Sequence, residues 1–473
     1  MAASQYPKIS QFKTPEAFSE YLQQHGIELP MKAGTEAQSR PISVFGRQLP
    51  NRWAALPMEG WDCGLDGVPS ELTLRRWYRV AQGGASLLAG VEAAAVMNEG
   101  RSSPRQLLVS EQSLPTLEKA CREMRRLHHE RFGSDPCIGL QLTHSGRYSH
   151  PNRADLLESR TAWTHPLLDR KFGSGPSNVV TDGEISGIIE AFALAAKRAQ
   201  EAGFDFVDIK HAHGYLLHEF LGAYGRPGPY GGSFENRTRL SREVLSAVRR
   251  EAPGLGLAYR LSIFDIIPFM KGEDGQGHPM VDAGGYHRAF GSDESGLMMD
   301  PNLTEPVRFV KMMQEFGCHL VIGTVGSPYY TVHLQRPAWY AVADGYPPPE
   351  DPLYNVGRHI AAARRLKELC PEIQLVSSGV TALQEYLPMV AEAILANGWC
   401  DYVGLGRMML SYPDFPADVL AGRPLAARCV CRTFGDCTNG PRKGVVSGCY
   451  RLDEFYRKMP EAAIVLKKTP TSP

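Results

Sequence analysis

The sequence carries no excess charge of either sign and no long apolar run. Lysine plus arginine number 51, as do aspartate plus glutamate, so neither nucleic acid nor an anionic membrane is expected as a partner. No stretch approaches the roughly 18 consecutive apolar residues of a membrane span. The opening residues, MAASQYPKISQFKTPEAF, contain no apolar segment of signal-peptide length. We therefore expect a cytoplasmic protein without a membrane partner.

Cysteine is also sparse, with ten among 473 residues. Most are scattered along the chain, which is typical of reduced thiols in a cytoplasm. Four lie close together near the end, and thiolates at such a density can bind a 4Fe–4S cluster or zinc. We favour reduced structural cysteines over a metal centre. This candidate cluster consists of Cys429, Cys431, Cys437 and Cys449.

Short apolar runs alternate with longer amphipathic segments over most of the chain. The amphipathic segments predict helices and the apolar runs predict buried strands, and their alternation is typical of a parallel sheet. Strands are predicted at 52–57, 85–92, 137–142, 204–210, 257–262, 319–324, 373–378 and 401–405. Helices are predicted near 70–82, 112–131, 184–202, 236–251, 304–316, 356–369 and 382–397.

Eight strands is the number that closes a (β/α)8 TIM barrel, although the pattern alone leaves a doubly wound open sheet as an alternative. We predict an α/β fold with an N-terminal extension over 1–42, a barrel over 43–425 and a cysteine-containing C-terminal tail over 426–473. Long segments at 265–303 and 326–354 interrupt the rhythm. Aromatic residues in the second segment favour a packed lid.

In a barrel of this kind, functional side chains lie at the C-terminal ends of the strands. After strands seven and eight, Gly379 and Gly406 let backbone N–H groups approach an anion, and Arg407 adds a fixed charge. These residues predict a phosphate site, although either glycine alone could simply belong to a turn. Arg260 lies inside an apolar strand, so it needs an anion or an acceptor, a structural ion pair being the alternative. Gln141 is placed similarly, with a satisfied core amide as its alternative.

The segment VDIKHAHGYLLHEF brings several titratable groups to the end of strand four. A lysine or histidine can hold an oxyanion, and a tyrosine hydroxyl can deliver a proton. A single histidine at the start of a helix is usually a cap or a surface residue, but three polar groups facing a phosphate site are harder to explain in that way. Lys210, His213 and Tyr215 are therefore the catalytic candidates.

Five segments in the same order resemble the Old Yellow Enzyme family of FMN-dependent oxidoreductases, over roughly residues 43–425. They are NRWAALPME, QLTHSGR, GFDFVDIKHAHGYLLHEFL followed by PYGGSFENRTRL, AYRLS, and DYVGLGRMMLSYPDFP. The resemblance favours the barrel over the open sheet and implies FMN as cofactor, with NADH or NADPH as electron donor. It also implies a small unsaturated substrate and barrels that often pair as homo-oligomers.

The resemblance implies roles for the matching positions. Arg260 would face the N1 and O2 edge of the flavin, where reduced FMN gathers negative charge, and Tyr215 would protonate the substrate. The implied FMN contacts are Pro57, Met58, Glu59, Ala93, Gln141, Arg260, Ser378, Gly379, Gly404, Gly406 and Arg407.

The chain also departs from the family pattern. Lys210 stands where a histidine usually grips the substrate oxygen together with a partner at the position of His213, and a lysine would favour a carboxylate or an enolate-like oxygen. Tyr412 replaces an asparagine. The tail cysteines are similar to those of the 2,4-dienoyl-CoA reductase branch, but only the Cys437 to Cys449 interval matches, and we expect that branch's extra domains to be lacking.

The expected function is ene reduction, in which hydride passes from NAD(P)H through FMN N5 to an activated C=C bond, or the reverse dehydrogenation. Two other classes stay open from the residues alone. One is a lyase that uses Lys210 as a Schiff-base nucleophile, and the other is a non-catalytic barrel that binds a phosphate ligand.

Overall fold

A computed structural model describes residues 6–292, 301–342 and 345–466. The strands are β1 Ile42–Val44, β2 Arg47–Leu49, β3 Trp53–Ala55, β4 Leu87–Leu88, β5 Ala93–Ala95, β6 Cys137–Thr143, β7 Phe206–His211, β8 Gly256–Ser262, β9 Phe269–Lys271, β10 Gly277–Pro279, β11 Leu320–Thr324, β12 Gln374–Ser377 and β13 Tyr402–Leu405.

The α-helices lie before, between and after these strands, and short 3₁₀ turns lie at Ile9–Gln11, Asn98–Gly100, Gly146–Tyr148, Pro176–Asn178 and Val380–Tyr386. The α-helices are α1 Pro15–Gln24, α2 Glu71–Ala81, α3 Leu114–Phe132, α4 Leu168–Phe172, α5 Asp182–Glu201, α6 Leu216–Leu221, α7 Phe234–Arg237, α8 Arg239–Glu251, α9 Thr304–Glu315, α10 Val332–Gln335, α11 Pro352–Leu369, α12 Leu387–Ala396, α13 Arg407–Ser411, α14 Phe415–Leu420, α15 Asp436–Arg442, α16 Glu454–Arg457 and α17 Ala462–Leu466.

The central sheet is a closed barrel of parallel strands. Its order runs β4, β3, β13, β12, β11, β8, β7, β6 and β5, and a further pairing of β4 with β6 closes the ring. β4 and β5 form one interrupted barrel strand, because both pair with β6. The interruption includes Gly90, whose φ of +83° favours glycine. The barrel thus has eight strands, which confirms the predicted TIM barrel and excludes the open sheet.

The β1–β2 hairpin lies against the N-terminal end of the barrel. Val44 and Leu49 belong to the same buried cluster as Leu87 and Leu320, which begin barrel strands. The ring of Phe45 stacks on Phe206 with 5.0 Å between centroids. A packed interior of this kind is the usual state of a TIM barrel, so the bottom of the barrel is filled and the open mouth lies at the other end.

Strand alternation decides which side chains enter the barrel. Successive side chains of a strand point to opposite faces. On β7, Val207 and Ile209 pack in the main core between sheet and helices, which leaves Asp208 and Lys210 on the inner face. β8 pairs in register, with Lys210 opposite Arg260. The fold therefore places these charged groups side by side inside the barrel.

Several elements differ from the predicted boundaries for local reasons. The helix predicted at 236–251 is two helices, α7 and α8, which meet at Thr238. The segment predicted as one helix at 382–397 begins as a 3₁₀ turn, because Gln384 has a φ of +52° and a ψ of −115°. α11 begins four residues earlier than predicted, at Pro352, because Asp351 caps its N-terminus.

The two long segments contain structure of their own. The first holds the β9–β10 hairpin, and its residues 293–300 lie outside the described part of the chain. The second contains α10, and its aromatic residues Trp339 and Tyr346 are buried. In the residues that the structure describes, the second segment is packed as the sequence predicts.

The N-terminal extension packs against the outside of the barrel. Phe18 of α1 stacks on Tyr386 at 4.4 Å, and Glu392 of α12 accepts hydrogen bonds from the backbone of Ala37 and Gln38. None of the helices in the described ranges has the length and apolar character that crossing a membrane requires.

Candidate active site

A pocket of about 230 Å3 opens at the C-terminal mouth of the barrel. It brings together most of the residues that the sequence singled out. Gly404 does not line the pocket, because a side chain there would meet Val376 and Leu56 in the barrel wall. The predicted residues that line it are Pro57, Met58, Glu59, Ala93, Gln141, Lys210, His213, Tyr215, Arg260, Ser378, Gly379, Gly406 and Arg407.

Arg260 lies on the inner face of β8. Its Nε atom is buried without a hydrogen-bond partner among the described residues. Burial lowers the pKa of Arg260 to about 10, against the raising influence of Asp208 and Glu59, so the guanidinium stays charged at neutral pH. A buried cation with an unsatisfied donor suits an anionic or electron-rich ligand.

Asp208 is a member of this site that sequence reasoning missed. Its Oδ2 accepts a hydrogen bond from Gln141 Nε2 at 2.5 Å, and burial raises its pKa to about 6 although Gln141 and Arg260 oppose that shift. The signal was available in the sequence, since Asp208 and Lys210 are two residues apart on one strand and must share a face. Gln141 is thus held by a carboxylate with one amide edge still able to serve the pocket.

The loops at which the sequence predicts a phosphate site follow β12 and β13. Gly379 has a φ of +82°, and a Cβ there would come within 2.5 Å of the His359 ring. Arg407 donates one hydrogen bond to the backbone oxygen of Pro337 at 3.0 Å. Its Nη1 atom is buried without a partner among the described residues. Gly379 and the buried Nη1 donor of Arg407 therefore occur together where the sequence predicts an anion.

Lys210 and Tyr215 both contact the carboxylate of Glu59. The Lys210 Nζ atom lies 3.1 Å from Glu59 Oε1, and the Tyr215 hydroxyl donates to the same oxygen at 2.8 Å. The ammonium also lies 3.5 Å from the centre of the Tyr215 ring. Burial lowers the pKa of Lys210, while Glu59 opposes that shift. Lys210 is thus an ion-paired residue, and a substrate oxygen would have to share it with Glu59.

His213 is held in a strained backbone conformation. Its φ is +67°, which is uncommon outside glycine and occurs often at functional sites. Ser262 Oγ accepts a hydrogen bond from its backbone N–H, and Ser327 Oγ donates to its carbonyl. Burial, with smaller contributions from Arg260 and Lys210, lowers the pKa of His213 well below 6.5, so the ring is neutral.

The other titratable groups of this segment have structural roles. His211 faces away from the barrel and hydrogen-bonds Ser241 of α8 at 3.0 Å. His218 accepts a hydrogen bond from the backbone of Gly214, and Glu219 forms a buried ion pair with Arg147. Some titratable residues of this segment therefore line the pocket, and the others stabilise the elements around it.

The C-terminal tail forms one wall of the pocket, which the sequence did not predict. Cys437 and Ser447 line it, and the backbone N–H of Ser447 donates to Gly60 at 2.8 Å. Asp453 anchors the tail to α2 through Arg75 and Arg79. Of the four tail cysteines, only Cys437 lines the pocket. Within residues 6–292, 301–342 and 345–466, no group of three or more His, Cys, Asp or Glu side chains is arranged to hold a metal ion.

The loop after β11 contributes residues that sequence reasoning also missed. The Tyr329 hydroxyl lies 3.1 Å from the Tyr215 hydroxyl, and its ring stacks on Tyr148 with centroids 3.8 Å apart. Gln335 Nε2 lies 3.1 Å from His213 Nε2. The aromatic composition of the segment predicted packing but not these contacts.

The closed parallel barrel, with buried cations, a tyrosine and a neutral histidine at its mouth, defines a TIM-barrel protein whose pocket suits an anionic ligand. The sequence profile of the NADH:flavin oxidoreductase / NADH oxidase family matches residues 39–287. The chain belongs to this family, and it is an FMN-dependent NAD(P)H oxidoreductase of the Old Yellow Enzyme type.

Known relatives support this assignment. The chain is 29% identical to an NADPH dehydrogenase of Geobacillus sp. (strain WCH70), over 80% of this chain and 91% of the relative. The chain spans only 55% and 57% of the lengths of two further curated relatives. Among solved structures, 2-naphthoyl-CoA reductase has a TM-score of 0.66 and 20% identity, covering 89% of this chain and 58% of that one. Morphinone reductase has a TM-score of 0.55 and 21% identity, covering 82% and 91%.

Proposed function

We propose that the enzyme exchanges hydride between NAD(P)H and an activated carbon–carbon double bond, as an ene reductase or as the reverse dehydrogenase. The observation that carries this proposal is the convergence in one pocket of the Tyr215 hydroxyl, the neutral His213 ring and the Arg260 guanidinium. A proton donor, an oxygen ligand and a cation for the flavin are the groups that this chemistry needs.

FMN, when bound, supplies the hydride acceptor and donor for both half-reactions. The unsatisfied donors of Arg260 and Arg407 fit its electron-rich ring edge and its phosphate. The pocket residues include the cations Lys210, Arg260, Arg336, Arg407 and Arg442, with Glu59 as their carboxylate counterpart, which suits an anionic ligand. We propose that FMN is held by Pro57, Met58, Glu59, Ala93, Gln141, Arg260, Ser378, Gly379, Gly406 and Arg407, with Gly404 shaping the wall behind them.

The substrate is proposed to be a small molecule whose double bond is conjugated to a carbonyl. His213 and Lys210 would hold the carbonyl oxygen, and Tyr215 would exchange a proton with the carbon next to it. The side chains of these three residues are buried, so water is largely excluded and the hydrogen bonds they make to a substrate are strengthened.

Replacing Tyr215 with phenylalanine tests this assignment. We expect transfer from the reduced enzyme to 2-cyclohexen-1-one to slow by about 10²-fold or more, since general acid catalysis contributes that much. Reduction of the flavin by NADPH or NADH should change little, because no proton passes through Tyr215 in that step. Stopped-flow absorbance of the flavin measures both half-reactions separately.

Tyr148→Phe is a matched control. The Tyr148 hydroxyl is buried without a hydrogen-bond partner among the described residues, although its ring stacks on Tyr329. Its removal should leave both half-reactions near the wild-type rate. Equal losses in both half-reactions of Tyr215→Phe would remove Tyr215 from its proposed role.

The family assignment excludes the two alternative classes considered from sequence. A lyase would use Lys210 as a free amine, but this ammonium is paired with Glu59 at 3.1 Å. A non-catalytic barrel is excluded because the chain is an oxidoreductase. We further propose a cytoplasmic location, supported by ten cysteines that are all free thiols in the structure.

A further inference from the structure

The carboxylate of Glu59 is bound on both oxygens. Oε1 accepts hydrogen bonds from Tyr215 and Lys210, as described above, while Oε2 accepts from Ser102 Oγ at 2.8 Å and from Trp61 Nε1 at 3.1 Å. Four donors fix the carboxylate in one orientation and favour its ionised form. The sequence placed Glu59 beside the flavin and gave its side chain no separate role.

The hydrogen of the Tyr215 hydroxyl is directed at Glu59. A tyrosine hydroxyl has one hydrogen to donate, and Tyr215 gives it to Glu59. The phenolic oxygen therefore presents its lone pairs to Tyr329 and to the pocket. In this arrangement the phenolic oxygen can receive a proton from the pocket while its own proton passes to Glu59, and donation to the pocket with return of the Glu59 proton is the reverse transfer.

The charges that face Glu59 keep it ionised. Lys210 is its ion-pair partner, Arg260 adds a second positive charge, and Glu92 is the neighbouring carboxylate. Burial alone would raise the pKa of Glu59, but Lys210 and the hydrogen bonds outweigh burial and lower it. Burial and the charge of Glu59 raise the pKa of Tyr215 far above 10, so Tyr215 does not lose its proton unless another arrives.

We propose, building on the function above, that Glu59 is the proton acceptor behind Tyr215 and that this pair removes a proton from the substrate carbon next to the carbonyl. The C–H bond breaks and its proton forms a new O–H bond on Tyr215, while the original Tyr215 proton moves to Glu59 Oε1. FMN, when bound, would supply the two-electron oxidant that takes up hydride from the adjacent carbon, and the electron pair of the broken C–H bond would form the double bond.

The site is thereby set for desaturation of a saturated carbonyl compound at neutral pH, with ene reduction as the reverse reaction. Glu59 acts through Tyr215, so it is a positioning and proton-accepting residue that does not itself touch the substrate. Lys210 contributes by holding the carboxylate ionised, in addition to any contact with the substrate oxygen.

The two directions must depend on pH in opposite ways. Desaturation needs the Glu59 carboxylate, so it is lost as the pH falls through the Glu59 pKa. Reduction needs a proton on Glu59, so its rate rises as the pH falls toward that pKa. Because the folded-state pKa lies below the ordinary value, the carboxylate persists throughout the neutral range.

The first test is spectroscopic and needs no substrate. In the holoenzyme, the tyrosinate absorbance is titrated with base in the wild type and in Glu59→Gln, and a Tyr215→Phe background identifies the Tyr215 contribution. We expect Glu59→Gln to move the Tyr215 ionisation down by at least one pH unit, while Glu59→Asp, which keeps the charge, moves it less. An unchanged Tyr215 ionisation in Glu59→Gln would overturn the proposal.

The second test follows the reoxidation of NADPH-reduced enzyme by 2-cyclohexen-1-one across the acid range. We expect the wild-type rate to rise at least threefold as the pH falls and the Glu59→Gln rate to be slower and flat over the same range. A wild-type pH profile in Glu59→Gln would contradict the role of Glu59.

Lys210→Met provides an independent variant if Glu59→Gln does not fold. Removing the cation should raise the Glu59 pKa and move the pH profile upward by more than one unit, and an unmoved profile would count against the proposal. Failure of the wild type to reduce the enone would instead refute the proposed function, and the titration would still decide the coupling between Glu59 and Tyr215.

Discussion

Burying the Arg260 side chain costs folding free energy. The fold buries its guanidinium on the inner face of β8, where Asp208 and Glu59 offset part of the charge and Nε remains unsatisfied. Leaving a buried donor unpaired costs about 1–3 kcal/mol. A ligand that accepts this hydrogen bond recovers part of that free energy on binding, and in the proposed binding mode that ligand is FMN.

Replacing Arg260 with leucine should therefore weaken FMN binding by at least about tenfold, since one lost charged hydrogen bond is worth roughly 1.5–3 kcal/mol. Fluorescence titration of the apoprotein with FMN measures the dissociation constant. The exposed Arg153, which pairs with Asp155 on the surface, provides the control as Arg153→Leu. An unchanged FMN affinity in Arg260→Leu would place the ring edge elsewhere in the pocket.

At the scale of elements, caps decide where helices begin and what they join. Asp351 accepts a hydrogen bond from the backbone N–H of Leu353 at the start of α11 and another from the Tyr21 hydroxyl of α1. One carboxylate thus begins a barrel helix and connects the N-terminal extension to it.

Asp351→Ala should lower the free energy of unfolding by about 1–2 kcal/mol, because an N-cap is worth that much. Asp351→Asn keeps an acceptor for Leu353 and should recover most of the loss. Urea denaturation followed by circular dichroism provides the measurement. A loss of the same size in both variants would show that the contact with Tyr21, and not the cap, supplies the stability.

The elements that could be predicted from sequence are those with a strong local pattern. β6, β7 and β8 are rich in apolar residues and buried along almost their whole length, and the inward position of their polar residues follows from alternation. The break at Gln384 depends on a backbone conformation that the residue type does not indicate. The pairing of Glu59 with Lys210 joins residues 151 positions apart, so no local periodicity reveals it, and the family resemblance could not supply it because Lys210 departs from the family pattern.

At the scale of the whole molecule, the pocket is completed by the C-terminal tail, which lies outside the barrel strands. Several polar groups of the pocket lie on those strands. The tail that includes Cys437 and Ser447 is fixed by Asp453, whose carboxylate is 5% exposed and lies 3.0 Å from Arg75 and 2.5 Å from Arg79. Removing one partner of a buried ion pair costs more free energy than breaking a surface pair, because the remaining charge is left without compensation.

Asp453→Ala should loosen the tail without unfolding the barrel. We expect faster proteolysis after residue 426 and a KM for the unsaturated substrate raised at least threefold, with kcat less affected, because one wall of the pocket is lost. Mass spectrometry of limited digests and steady-state kinetics give the two readings. Asp155→Ala, which breaks an exposed pair with Arg153, is the control, and an unaltered digestion pattern in Asp453→Ala would show that other contacts hold the tail.

This wall has a consequence for how the enzyme matures. During translation the ribosome delivers all eight barrel strands before residues 437–447, so a nascent chain can close its sheet while its cavity is still open on one side. Residues 437–447, which are synthesised after the barrel strands, complete the binding site, so the polypeptide reaches its full affinity for small molecules only when they have docked.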